Sequence, residues 1–180
     1  MSQYILINRI KVQNANAIAG FTWGFPAITH FLGFTHNLSR KLAGEQRFND
    51  ISLTGCAVIS HEHHVHTYRS SYDYEFTQSR NPPYLASHNK ADTPPVIEEG
   101  KMNMTVSLLI GYQGNIGNRQ ENFINWLAKN CLLQRLAGGT ILNIKEIETY
   151  TLEENNIRKV KRKLIPGFVL KDCSSYLEKH

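Results

Sequence analysis

From Tyr4 to Val12 the chain is rich in Ile, Leu and Val, with Asn8 and Arg9 interrupting the run, a pattern that predicts a buried first strand. An amide-rich stretch follows, Gln13, Asn14, Ala15, Asn16 and Ala17, and passes through Gly20 into Phe21, Thr22, Trp23, Gly24, Phe25 and Pro26. It predicts a polar-aromatic loop. Pro26 suits the start of a helix. Beyond it Ile28, Phe31, Leu32, Leu38 and Leu42 recur at helical spacing, and Arg40 and Lys41 occupy the last turn before Gly44. Ile51 to Ser60 predicts a second strand and Met102 to Gly111 a third. Between them Asn81-Pro82-Pro83, Thr93-Pro94-Pro95 and Gly100 predict a long, irregular, exposed connection. Phe123, Trp126, Leu127 and Cys131 then mark a second helix over Asn118 to Leu136, closed by Gly138-Gly139, and Thr140 to Tyr150 alternates as a fourth strand.

Strand, helix, strand, strand, helix, strand is the order of an α+β, ferredoxin-like βαββαβ domain, with both helices on one face of an antiparallel sheet. Residues 1–150 form that expected domain, with the long connection as an inserted loop. Residues 151–180 are expected to form a basic extension. There Glu153-Glu154-Asn155-Asn156 reads as a turn and Ile157 to Leu164 as a returning strand, which makes a C-terminal β-hairpin. A period of two would put Lys159, Lys161 and Lys163 on one face of it.

At 180 residues, 41% hydrophobic and 19% charged, the chain has the composition of a folded globular domain. No apolar run approaches the roughly 20 residues that span a bilayer. Met1-Ser2-Gln3-Tyr4 lacks the basic region and cleavage site of a secretory signal, and Cys56, Cys131 and Cys173 form no paired pattern. A reducing, cytoplasmic setting without a membrane partner is the expectation. The net charge of +5 is local, because Arg158, Lys159, Lys161, Arg162 and Lys163 account for all of it. Such a run suits a nucleic-acid backbone. It suits equally an edge strand guarded by lysine.

The candidate chemistry is polar recognition with no catalytic group, cofactor or metal. Gln13, Asn14 and Asn16 can both donate and accept hydrogen bonds, and amides in such numbers need partners. Trp23 reads as a base-stacking platform or as a core anchor. His61-Glu62-His63-His64-Val65-His66 resembles a metal site, but on an extended chain the imidazoles divide between two faces. Gly111-Tyr112-Gln113-Gly114-Asn115-Ile116-Gly117 has GxxGxxG spacing, which belongs to a strand-to-helix turn and not to a dinucleotide loop. His30 and His36, six residues apart on one helix, project from different faces, which disfavours a catalytic pair.

Gln13-Asn14-Ala15-Asn16-Ala17, Thr22-Trp23-Gly24-Phe25-Pro26, Phe76-Thr77-Gln78-Ser79-Arg80-Asn81-Pro82, Glu98-Glu99-Gly100 and Leu164-Ile165-Pro166-Gly167-Phe168 occur in that order. Together they resemble the second-Csy-protein family, the Cas-five-type RAMP subunits of the type I-F CRISPR surveillance (Csy) complex. The resemblance implies a RAMP-type ferredoxin-like domain over residues 1–150 with a thumb-like extension over residues 151–180, and a non-catalytic RNA-binding subunit in antiviral defence. It would hold the 5′ handle of the CRISPR RNA and pair with the large and backbone Csy subunits. Contact with target DNA through the assembled complex stays open. The family's greater length makes an amino-terminal portion or a shortened form the expectation here. On this reading Arg40, Arg80, Arg158, Lys159, Lys161, Arg162 and Lys163 contact phosphates, while Gln13, Asn14 and Asn16 read base edges or backbone. Two other readings are an endoribonuclease that processes CRISPR precursor RNA through His30 or His36, and a protein-interaction module with no RNA of its own.

Overall fold

The computed structural model describes residues 3–76, 79, 80, 82, 84–97, 99–151 and 153–177. Four long strands form its frame: the first over Gln3–Asn16, the second over Ser52–Val65, the third over Lys101–Gln113 and the fourth over Gly139–Thr151. The first helix, Ile28–Ala43, lies between the first and second strands, and the second helix, Gln120–Leu132, between the third and fourth. In space the strands run fourth, first, third, second, and every pairing is antiparallel. Short strands extend both edges, Arg135–Leu136 beside the fourth and Phe168–Val169 beside the second.

One face of this sheet carries the main core. Phe31, Phe34, Leu38 and Leu42 of the first helix and Phe123, Leu127 and Cys131 of the second meet Ile5, Ile7, Ile10, Val12, Met104, Val106, Leu108 and Ile110 of the central strands. Side chains of a strand alternate between faces, so Ile7 and Ile10, three apart, should point opposite ways. They share the core because the ladder is bulged between them, and a second bulge does the same for Val12 and Ala15. Each bulge holds a residue at positive φ, Arg9 at 50° and Asn14 at 56°. The extra residue turns outward while the apolar register is kept.

Several expectations need correction. The first strand continues to Asn16, so Gln13, Asn14 and Asn16 lie on a bulged strand end and not in a loop. The aromatic segment after it is a small hairpin, Ile18–Ala19 against Thr22–Trp23. The second strand continues to Val65 and therefore holds four of the five residues from His61 on the same ladder as Cys56 to Ser60. The second helix begins after a 3-10 turn at Gly117–Arg119 and stops at Leu132, leaving Arg135–Leu136 to the sheet. Within the long connection, three two-stranded ladders replace the irregular chain: Thr67–Arg69 with Tyr74–Phe76, Ser79–Arg80 with Val96–Ile97, and Tyr84–Ser87 with Lys90–Asp92.

The largest correction concerns the basic run. It is a third helix, Glu154–Leu164, and not the strand of a β-hairpin. Ile157, Val160 and Leu164 recur at helical spacing and turn toward the sheet, with Val160 only 5% exposed. The helix period turns Lys161 away from Lys159 and Lys163, so these three do not share one face. After the helix the chain crosses to the second strand, where Phe168 pairs with Ser60 and Val169 with Ile59. This C-terminal strap lies on the sheet face opposite the first two helices.

Candidate nucleic-acid interface

A row of polar side chains seats the strap across the sheet. The Lys163 ammonium of the third helix donates to Glu146 at 2.9 Å and also to Glu148, both on the fourth strand. Glu146 in turn accepts from Asn8 Nδ2 at 2.7 Å, and Asn8 Oδ1 accepts from Ser107 Oγ at 2.9 Å. His61 completes the row, with Nε2 2.7 Å from Ser107 Oγ and Nδ1 2.6 Å from the carbonyl oxygen of Pro166. Asn8 and Ser107 are buried at 1% and 0% exposure, so the hydrogen bonds replace the water they lose. Gly167 reaches the sheet closely enough that a Cβ there would stand 2.7 Å from Ile59 Cγ2.

The charges of this row shift one another. The Lys163 ammonium and the Asn8 amide hold Glu146 below its ordinary carboxylate value. Partial burial, then the hydrogen bond to Glu148, pushes the Tyr150 hydroxyl up to about 12. For Lys163 burial acts against the charged form, but hydrogen bonds to Glu148 and Glu146 outweigh it and raise its pKa. Lys163 is thereby occupied within the chain. Arg158, Lys159, Lys161 and Arg162 instead point to solvent.

Beside the strap, toward the end of the first strand, the same face opens into a groove of about 310 Å³. Cross-strand register arranges its walls in two rows. Lys11, Thr105 and Glu62 form one, and Asn103 and His64 form the next, with the Gln13–Asn14 bulge alongside. Leu142, 58% exposed, borders it from the fourth strand. The Asn14 backbone N–H donates to Asn103 Oδ1 at 3.1 Å, which fixes that carboxamide and leaves the side chains of Gln13 and Asn14 exposed.

The remaining candidates lie elsewhere. The Asn16 carboxamide is used inside the chain: Nδ2 donates to the Ile18 carbonyl at 2.9 Å and Oδ1 accepts from the Ile18 N–H at 3.1 Å, a local turn lock. Trp23 is half-buried, its ring 4.3 Å from that of Phe76 and against Gly100, where a Cβ would meet the indole at 2.8 Å. Phe21, by contrast, stands fully exposed at the hairpin tip. Arg40 is exposed on the first helix, on the other side of the sheet from strap and groove. The backbone of Arg80 pairs with Val96, and its side chain lies outside the described residues, as do Thr77, Gln78, Asn81 and Glu98 of the quoted motifs.

His30 is tied to the Ala27 carbonyl at 3.2 Å and lies 3.5 Å from Asn16 Nδ2, while His36 is exposed two turns further along the helix. The two do not converge. His63 packs edge-on to Phe25 at 6.2 Å on the core side while His64 faces the groove, so the histidine cluster is divided. Among the described residues no three His, Cys, Asp or Glu side chains gather closely enough to share a metal ion. No described helix is long and apolar enough to cross a membrane.

Lys11, Asn103 and Thr105 were absent from the sequence-based candidates, and His64 entered only as a member of the histidine cluster. Their signal was faint. Each is the outward member of an alternating strand, but only the non-local register places them beside Gln13. The apolar triplet Ile157, Val160 and Leu164 was the readable sign that the basic run is helical.

Known proteins agree with the motif resemblance. The family described as CRISPR-associated protein (Cas_Csy2) matches residues 5–180. CRISPR-associated protein Csy2 of Pseudomonas aeruginosa (strain UCBPP-PA14) is 30% identical over 194 residues, a match that covers 98% of this chain and 57% of that protein. The chain thus spans somewhat more than half the length of this curated relative. With the match running through both the four-stranded frame and the strap, the chain belongs to the CRISPR-associated Csy2 family.

Proposed function

We propose that this chain is a non-catalytic RNA-binding subunit of a type I-F CRISPR (Csy) complex, acting in the cytoplasm in antiviral defence. It holds the 5′ handle of the CRISPR RNA and pairs with the large and backbone Csy subunits. Its frame is read as a ferredoxin-like RAMP domain, on the strand order fourth, first, third, second with both helices on one face. The observation that carries the RNA reading is a juxtaposition. The four solvent-facing cations of the strap and the exposed amides of the Gln13–Asn14 bulge stand on one and the same sheet face. Cations supply affinity for phosphates, and amides supply register on bases and sugars.

The test is the salt dependence of binding to single-stranded handle RNA. Replacing Arg158, Lys159, Lys161 and Arg162 together by Ala removes up to four phosphate contacts. At about 0.7 per neutralised phosphate, the slope of log affinity against log salt falls by up to roughly 3. An unchanged slope removes the strap from the RNA path. Absence of RNA from the purified chain and its complex, read as an ordinary absorbance ratio, favours the interaction-module reading instead. A site-specific cleavage product lost on changing His30 or His36 contradicts a passive subunit.

A further inference from the structure

The geometry points to the groove beside the strap as a seat for one unpaired nucleotide, its phosphate at Lys11 and the amino-bearing edge of its base at Glu62. This rests on the RNA reading above and goes beyond it by naming the orientation and the base class. Lys11 pairs across the sheet with Thr105, and Thr105 with Glu62, so the three side chains form one row over three adjacent strands. Adjacent strands lie about 4.8 Å apart, which separates the backbone positions of Lys11 and Glu62 by roughly 10 Å. That suits the reach from a nucleotide's phosphate to the far edge of its base. Lys11 and Glu62 make no ion pair with each other or with another described residue.

The opposite charges give the site a direction. A phosphate is attracted at the Lys11 end and repelled at the Glu62 end. A carboxylate has acceptors only, so its partner must bring hydrogen-bond donors. Cytosine offers its N4 amine there, the usual partner of Asp and Glu, whereas the corresponding edge of uracil presents a carbonyl. Gln13 and the anchored Asn103 carboxamide accommodate either polarity along the sugar and base edge, and Leu142 gives the base an apolar wall. A protein segment could use the same amides. The spaced cation and carboxylate flanking an apolar rim fit a nucleotide better.

Fluorescence anisotropy with short single-stranded oligocytidine and oligouridine RNA tests this on the full chain. The wild-type protein should prefer oligocytidine by about tenfold, the lower part of the range for a good base contact. Glu62→Gln, which can donate as well as accept, should abolish the preference with little loss of total affinity. Lys11→Ala should weaken both RNAs alike and lower the salt slope by about 0.7. Both positions are on the surface of formed strands, and thermal unfolding of each variant checks the fold. If the wild-type chain binds both RNAs and neither variant changes preference or slope, the groove assignment falls while the RNA reading stands. If the wild-type chain binds neither RNA, alone or in its complex, both fall together.

Discussion

Replacing Asn8 by Ala removes the middle of the polar row that seats the strap. Asn8 is 1% exposed, donates to Glu146 at 2.7 Å and accepts from Ser107 at 2.9 Å. A hydrogen bond to a charged group contributes about 1.5–3 kcal/mol net and a neutral one about 1. Glu146 keeps about a third of its side chain in water, so its bond belongs at the low end. The Ser107 hydroxyl, once freed, can turn to the His61 ring 2.7 Å away, which offsets part of the second loss. The expected destabilisation is about 2 kcal/mol at neutral pH, or roughly 4–8 °C in Tm for a chain of this size. Urea unfolding followed by tryptophan fluorescence measures it.

The pH dependence of that loss has a definite sign. Glu146 is held below its ordinary value of 4.5, so its contribution is complete above that pH and disappears as pH falls through the lower folded value. The Asn8→Ala penalty should therefore be constant above about pH 4.5 and shrink below it. Glu146→Gln measured in both backgrounds should give a coupling of about 1 kcal/mol with Asn8. A neutral-pH loss under about 0.5 kcal/mol, the scatter of ordinary surface changes, refutes the reasoning, as does a loss that persists unchanged in acid.

Trp23→Ala should cost about 2 kcal/mol, less than a fully buried aromatic because the indole is half-exposed, while Phe21→Ala, two residues earlier in the chain on the hairpin tip, should leave the unfolding midpoint unchanged. A Trp23 variant as stable as the wild type but defective in RNA binding would return the indole to the stacking reading. With a thiol-specific reagent, exposed Cys173 should react in the native protein, whereas Cys131, whose thiol burial pushes up to about 12, should react only after denaturation. Labelling of both at equal rates would mean that the second helix does not cover Cys131 as described.

The frame was legible because its signals are local. Phe31, Leu38 and Leu42 repeat within one helix, Phe123, Leu127 and Cys131 within another, and the four long strands have apolar residues to match. What stayed hidden depends on distant partners. Asn8 and Glu146 are 138 residues apart, and nothing near Asn8 says that its amide is spent on a carboxylate. The bulge at Asn14 made the end of the first strand look like a loop, since it breaks the alternation by which strands are recognised. In the basic run only three apolar residues carried the helical period, and the alternating lysines gave a competing period of two. The orphaned amides were a correct reason to expect partners, but for Asn16 the partner proved to be the backbone of Ile18.

On the proposed RNA reading one sheet face carries the main core and the other the recognition surface, and the polar seat of the strap links them. An apolar strap could slide along a greasy face, whereas hydrogen bonds at Asn8, Ser107 and His61 and the ion pairs at Lys163 fix one register. On the proposed RNA reading, fixing it holds Arg158, Lys159, Lys161 and Arg162 on the sheet face of the groove before RNA arrives, so binding need not supply the ordering of the strap. Loosening the seat should then separate two quantities that charge removal changes together. Asn8→Ala keeps every cation, so the salt slope for single-stranded RNA should stay at the wild-type value while affinity falls uniformly at all salt concentrations. A slope that falls with the affinity would show that the cations act only from the seated position. An affinity that does not fall would show that the seat serves the fold alone.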